Sequence, residues 1–362
     1  MQHYDVIIIG AGLAGASLGY LLQKQGKTTF IIERADLNKK DKLCGGLLTK
    51  RSFKLFRKNF DQNNILPFRK FQNFTVKTRR AATTIRHDFY SISRKQLDDY
   101  LVSLYPEAGG TIFSPIKTYS LNLHKRIVTT EGGTPFSYDT LIGADGIHSK
   151  LRTILTGRSQ RKNFALETQL PTNTSAELVI HFLDDLKGYA WHIPNNEHLM
   201  LGLGDVSEKT NLRPRFDQFL ATQNCHSKNL RGAFLPTGND IFLGKGNVFL
   251  IGDAAGLASP IFGEGIYYAF VSSIALAKAL DPKTSSFNSE TSCHANHNSE
   301  SASHNHAAKT YRALMLPYIN RLKREHHLKK FIFNAKLNQF VFRNYHLSLI
   351  KPFVDRFVAK YL

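Results

Sequence analysis

The sequence predicts an α/β protein built on a doubly wound, mostly parallel sheet, joined by a second domain of antiparallel sheet and a helical C-terminal tail. Three observations carry that prediction. The apolar strand Tyr4 to Ile9 stops at the turn Gly10-Ala11-Gly12-Leu13-Ala14-Gly15, and an alanine- and leucine-rich helix follows. Two later apolar strands close in similar turns, at Asp145-Gly146 and at Gly252-Asp253. Between them, from about residue 158 to 246, short strands with longer polar connections read as antiparallel sheet.

The first turn has the chemistry of a phosphate site. Gly10 permits a tight turn, Gly12 lets backbone approach a pyrophosphate, and Gly15 lets the helix pack on the strand, so helix N–H groups and the positive dipole end face the anion. The next strand, Thr28 to Ile32, ends at Glu33, where a carboxylate takes a ribose hydroxyl. A lone glycine motif is weak evidence. Strand, turn, helix, strand and acid in that order predict a Rossmann-type nucleotide domain.

At 362 residues the chain is long enough to bury a large core. Cys44, Cys225 and Cys293 are too scattered for a disulfide framework or a paired-cysteine metal site, which suits a reducing, cytoplasmic setting. No run approaches the ~20 apolar residues that span a bilayer. Lys and Arg exceed Asp and Glu, 48 to 28, for a net charge of +20. Such an excess fits nucleic acid, anionic lipid or acidic ligands. Without a zinc-finger or RNA-binding signature, nucleic acid is the least expected of the three.

After the second strand, the polar segment from Arg34 to Lys42 leads to Cys44-Gly45-Gly46. This stretch reads either as backbone passing close to a ligand ring or as a plain loop with a packed thiol. A helix over Lys50 to Phe60 and a strand over Phe71 to Arg79 follow. Tyr90 to Leu101 reads as a strand passing into a helix at Ser93, with Arg94 in its first turn either solvated or turned to a phosphate or the edge of a ligand ring. Tyr189 to Pro194 and Leu199 to Gly204 read as an antiparallel pair joined at Asn195-Asn196. The turn Gly263-Glu264-Gly265 opens an apolar helix, Ile266 to Leu280. Residues 282–306, rich in Ser, Asn and His, read as an unstructured insertion rather than a metal site, since His294, His297, His304 and His306 lack regular spacing. The tail is basic and helix-prone, with breaks expected at Pro317 and Pro352.

Taken together, the early, middle and late glycine turns imply a cofactor larger than a nicotinamide nucleotide. Their order resembles the FAD-binding fold of the aromatic hydroxylase type. Gly10, Gly12, Gly15 and Glu33 match its ADP fingerprint, Asp145-Gly146 its middle motif, and Gly252-Asp253 its late motif, whose aspartate holds the ribityl chain in that family. Within it the chain most resembles the geranylgeranyl reductases. Tyr189-Ala190-Trp191-His192-Ile193-Pro194, with Gly202-Leu203-Gly204 behind it, fits their Tyr-x-Trp-x-Phe-Pro pattern apart from Ile193, and Cys44-Gly45-Gly46 and the segment from Gly252 to Gly265 look like family segments. Trp191-His192-Ile193-Pro194 is also similar to a flavin-dependent halogenase motif. Trp191 alone reads as a core residue packed beneath the sheet.

The resemblance implies FAD contacts from Gly10, Gly12, Gly15, Glu33, Arg34, Cys44, Gly45, Gly46, Arg94, Asp145, Gly146, Gly252, Asp253, Gly263 and Gly265. It implies substrate contacts from Tyr189, Trp191, Pro194, Gly202 and Gly204, and a catalytic role for Cys44. The FAD domain is expected over 1–65, 91–157 and 247–281, the substrate domain over 66–90 and 158–246, the insertion over 282–306 and the tail over 307–362. The expected reaction passes hydride from reduced flavin to a carbon-carbon double bond of an apolar, isoprenoid-like substrate, with no metal. Transient NAD(P)H or another carrier would reduce the flavin, because no second nucleotide motif is present. A monooxygenase, a halogenase and a non-catalytic flavin- or lipid-binding protein are the alternatives; against halogenation, Lys77 reads as a solvated charge. The basic, phenylalanine-rich tail makes an anionic membrane surface a candidate partner. No oligomeric state is implied.

Overall fold

The computed structural model describes residues 1–172, 175–206, 211–225, 229–281 and 299–362. Its first sheet is organised by β1 (Gln2–Ile9), whose Val6 to Ile9 are buried. β1 pairs in parallel with β2 (Thr29–Ile32) on one side and β9 (Pro135–Gly143) on the other. β6 (Thr111–Phe113) extends the sheet beyond β2, and β16 (Val248–Leu250) extends it beyond β9, both in parallel. The chain runs from β1 outward to β2 and β6, then returns to the other side. Loops at the carboxyl ends of β1 and β9 therefore diverge and leave a crevice, the usual ligand position in doubly wound sheets. Short antiparallel strands, β7 (Tyr119–Asn122), β8 (Ile127–Thr130) and β15 (Gly244–Lys245), finish the edges.

Helix α1 (Leu13–Lys24) packs against the apolar helix α6 (Ile266–Ala279) and against α3 (Arg94–Glu107). Close packing explains the first turn. Gly10 has φ +106°, and a Cβ on Gly15 would run into the Gly10 carbonyl oxygen.

The second sheet has the order β14 (Arg231–Pro236), β10 (Lys162–Pro171), β13 (His198–Asp205), β12 (Gly188–Pro194), β11 (Val179–His181), β4 (Arg69–Lys77), β5 (Ala82–Ser91), β3 (Leu47–Thr49). All its pairs are antiparallel except β11 with β4. Strand alternation gives it two apolar faces. Leu166, Ala190, Leu201 and Leu203 bury against α5 (Arg213–Thr222), while Phe74, Val76, Ile85, Phe89 and Ile193 face the other way.

Residues 282–298, including Cys293, His294 and His297, lie outside the described residues; 299–306 open the long helix α7 (Ser299–Ile332). Pro317 does not break this helix, contrary to expectation. The breaks fall instead after Ile332 and Arg343, before α8 (Ala335–Arg343) and α9 (Ile350–Tyr361), and Pro352 sits in the first turn of α9, where a missing N–H costs no helical bond. Helix α7 is fastened to the first domain by buried groups: Tyr311 donates to the Leu250 carbonyl at 3.0 Å and Ser259 to Glu325 at 2.6 Å. α9 crosses to the second sheet, where Val354 and Val358 join Phe74 and Phe89. No described helix is long and apolar enough to cross a membrane.

Candidate functional site

One cavity of about 1530 Å³ lies between the two sheets. Its polar end is formed by the loops of the first sheet. Gly12, Leu13 and Ala14 border it at the start of α1, a helix with no side-chain cap and no acid in its first turn. The free N–H groups of that turn, together with the helix dipole, make a site for an anion. A Cβ on Gly12 would meet nothing within 4 Å, so its missing side chain leaves open room at the site and is not needed for packing.

Glu33 accepts from the Ala11 and Ala35 backbone N–H groups, each at 2.8 Å, and from Lys40. Burial pushes its carboxyl upward, but Lys40 and the two backbone donors outweigh this and hold it below the ordinary range. It is an anion at neutral pH, and three bonds to two oxygens leave acceptor capacity for a ribose hydroxyl. Arg34 lies exposed at the rim.

The middle of the cavity is bounded by Cys44-Gly45-Gly46, Asp145-Gly146, Asp253 and Gly263-Glu264-Gly265. Asp145 Oδ2 accepts from the Lys150 N–H at 2.8 Å, whereas its buried Oδ1 has no partner among the described residues; burial raises this carboxyl. Asp253 is paired with Lys42, also of the lining, at 2.7 Å. Glu264 is held by Arg51 at 2.7 Å and Thr49 at 2.8 Å, which fixes the glycine loop around it. Arg94 is buried beside Cys44 and bonded to Asp98 at 3.1 Å; burial opposes its charge, and Asp98 with Cys44 restores it. The uncapped α1 turn, the open space at Gly12 and the unpartnered Asp145 oxygen leave room and polar groups that would suit a dinucleotide such as FAD, with Gly12 and Glu33 the residues that would hold its nucleotide end.

The other end of the cavity is apolar. Phe74, Val76, Ile85, Phe89 and Ile180 of the second sheet and Leu178 just before β11 line it together with Val341, Phe342, Val354, Phe357 and Val358 of the tail. Tyr189 and Trp191 stand where the two ends meet. Tyr189 donates to the Phe262 carbonyl at 2.5 Å, and Trp191 donates its indole N–H to Glu167 at 2.9 Å.

Of the residues singled out in the sequence, Gly15, Gly252, Pro194, Gly202 and Gly204 do not border the cavity. They act from behind it. Gly252 takes φ +54°, Pro194 accepts from Ser91 at 2.6 Å, and the missing side chain of Gly202 makes room for the Trp191 ring. Lys77 is exposed at the end of β4. Sequence patterns missed Glu167, Lys42, Arg51 and the tail's place in the wall. An acid inside the apolar run Phe164-Ala165-Leu166-Glu167 was the visible signal for the first. Among the described residues, no group of three or more His, Cys, Asp or Glu side chains could hold a metal ion.

Residues 3–84 match the family model described as an FAD binding domain. The chain is 26% identical over 320 residues, 77% of its length and 66% of the relative's, to the chloroplastic geranylgeranyl diphosphate reductase of Nicotiana tabacum. It is 26% identical over 302 residues, 74% of each protein, to the digeranylgeranylglycerophospholipid reductase of Methanococcus vannielii. Among solved structures, a geranylgeranyl bacteriochlorophyll reductase-like protein from Thermoplasma acidophilum superposes with a TM-score of 0.76 over 95% of this chain and 91% of that one, at 18% identity. A probable FAD-dependent monooxygenase from Pseudomonas aeruginosa gives 0.70 over 93% and 98%, at 19% identity.

Proposed function

We infer, from a chain that is an FAD-dependent oxidoreductase related to geranylgeranyl reductases, that its reaction is the reduction of a carbon-carbon double bond in an apolar, isoprenoid-like substrate. The observation that carries this reading is the continuity of one cavity, polar at the glycine turns and walled by phenylalanine, valine and isoleucine at its far end. A long apolar chain buries its surface there at ~25 cal/mol per Å². The two relatives named above are named for geranylgeranyl substrates, which have that character.

When held there, FAD would supply the hydride chemistry. The chain's own residues bind, orient and exclude water. The α1 turn and Glu33 hold the nucleotide end, the Arg51–Glu264 pair keeps the glycine loop in place, and Tyr189 with Trp191 separates the cofactor end from the apolar end. Cys44 is a wall residue beside the buried Arg94. Transient NAD(P)H is the reductant in this reading.

Docking on an anionic membrane is part of the proposal. Its support is the outer face of the tail, where Phe331, Phe340, Leu349 and Phe353 are exposed beside Lys336, Arg343, Arg356 and Lys360. Phe331 and Phe353 also border the cavity, so a lipid-borne chain would enter from the membrane side.

The test is to reduce the FAD-loaded protein without oxygen and mix it with geranylgeranyl diphosphate or a geranylgeranyl lipid. Reoxidation of the flavin with a product richer by one pair of hydrogens is the expected result. Hydroxylated product formed only after air is admitted would make the protein a monooxygenase, and binding without either product would make it a carrier.

A further inference from the structure

Glu167 sits in the middle of β10, where strand alternation turns it toward the cavity, and it is 1% exposed. Its Oε2 accepts the Trp191 indole N–H, while its buried Oε1 has no hydrogen-bond partner among the described residues. An ionised carboxylate so placed is expensive, and holding the proton removes the cost. Burial lifts the carboxyl to about 7, against the Trp191 hydrogen bond and Arg231; Asp41 adds to the lift. Arg231 is the register partner of Glu167 on β14, but its guanidinium is paired with Asp41. On the loop side Gly45 approaches: a Cβ there would be 3.7 Å from Oε2, and Cys44 precedes it.

We propose that Glu167 is the acid that gives a proton to the substrate carbon next to the one receiving hydride. The inference rests on the reductase reading. The Oε1–H bond breaks and its electrons stay on the carboxylate; the π pair of the alkene forms the new C–H bond with the proton. The hydride pair forms the second C–H bond. Two electrons thus leave the reduced cofactor, a nicotinamide-class donor restores them, and water returns the proton to Glu167. Cys44, the neighbouring protic side chain, is engaged with Arg94 and serves as the comparison.

Trp191 is the sole tryptophan of the chain, so its emission reports on the carboxyl it touches. In the FAD-loaded wild type, emission should titrate with a midpoint near neutrality, and Glu167→Gln, which keeps an oxygen for the indole, should remove that titration with flavin content unchanged. Anaerobic turnover of geranylgeranyl diphosphate by Glu167→Gln should fall by about 10²–10⁴-fold. Should that variant lose flavin, Arg231→Met gives a second route. Removing the cation and freeing the Asp41 charge should move the alkaline limb of the turnover profile, and the emission midpoint, to higher pH. An unchanged titration in Glu167→Gln, wild-type turnover by it, or an unmoved limb in Arg231→Met overturns the assignment. If the wild type reduces no prenyl alkene, the reductase reading and its proton-transfer step fail together, while the emission titration still reports separately whether the acid exists.

Discussion

The two ends of the cavity are built in opposite ways. The polar end is assembled from residues adjacent in sequence: Gly10 to Gly15, Cys44 to Gly46, Asp145-Gly146, Gly252-Asp253 and Gly263 to Gly265 each act as a short turn. The apolar end is assembled across the chain, with Phe74 and Phe89 from early strands meeting Val354 and Val358 from the last helix. A local turn tolerates little change because backbone atoms make the contacts. The apolar wall is a packed surface in which side chains of similar volume substitute for one another.

The sharpest way to break the comparison lies within one turn. Gly15→Val places a side chain against the Gly10 carbonyl, which no side-chain rotation relieves, so the cost should exceed the ~1–3 kcal/mol of ordinary overpacking and yield insoluble protein. Gly12→Val should fold, with a thermal midpoint near wild type, and lack flavin absorbance, because its side chain enters the space left for diphosphate. Asp253→Ala should weaken flavin retention less than Gly12→Val, and would also free Lys42. A flavin-loaded Gly12→Val protein would contradict the assignment of that turn.

At the junction, Cys44→Ser should lower turnover by about tenfold or less with flavin content unchanged, since Glu167 retains its acid. A loss as large as that of Glu167→Gln would return the proton-donor role to the thiol.

A smaller effect concerns pH. The folded protein holds a proton on Glu167 up to about 7, whereas an unfolded glutamate releases it near 4.3. Between these values the native state binds more protons, so this group's contribution to stability falls as pH rises through the window, by up to about 4 kcal/mol, then levels off. Glu167→Gln should lack that slope, as measured by urea midpoints at several pH values. Equal slopes in both proteins would mean the carboxyl is ionised throughout.

The smallest effect is expected at the outer face of the tail. Phe340→Ser with Phe353→Ser should reduce co-sedimentation with vesicles containing anionic lipid, most visibly at low salt, without loss of flavin. Binding that ignores lipid charge, salt and these substitutions would leave the outer face as ordinary solvated surface.

The same contrast explains what could be read in advance. The glycine turns were legible because each is a few consecutive residues closing an apolar run, whereas the order of the strands in the sheet comes from the structure. The β12–β13 pairing was legible from alternation and the Asn195-Asn196 turn. Glu167 was not, because its meaning depends on Trp191, 24 residues away and brought beside it through β13. The tail was read as basic and rich in phenylalanine, but periodicity could not tell which rings turn inward. Phe342 and Phe357 face the cavity with Val354, whereas Phe340 and Leu349 face solvent. Pro317 showed the limit of a local rule, since packing of α7 on α6 outweighs the bond that a proline removes.

The central claim is that one cavity holds FAD at its glycine end and a prenyl chain at its apolar end. It is tested most directly by a crystal structure of the flavin-loaded protein with a bound geranylgeranyl lipid. The account predicts diphosphate at the α1 turn, the ring between Gly45 and Gly263, and the chain running from Trp191 along the wall that Phe89 and Val354 help to form. A flavin bound elsewhere, or a lipid chain lying outside that wall while the apolar end is closed by the tail's own side chains, would contradict it.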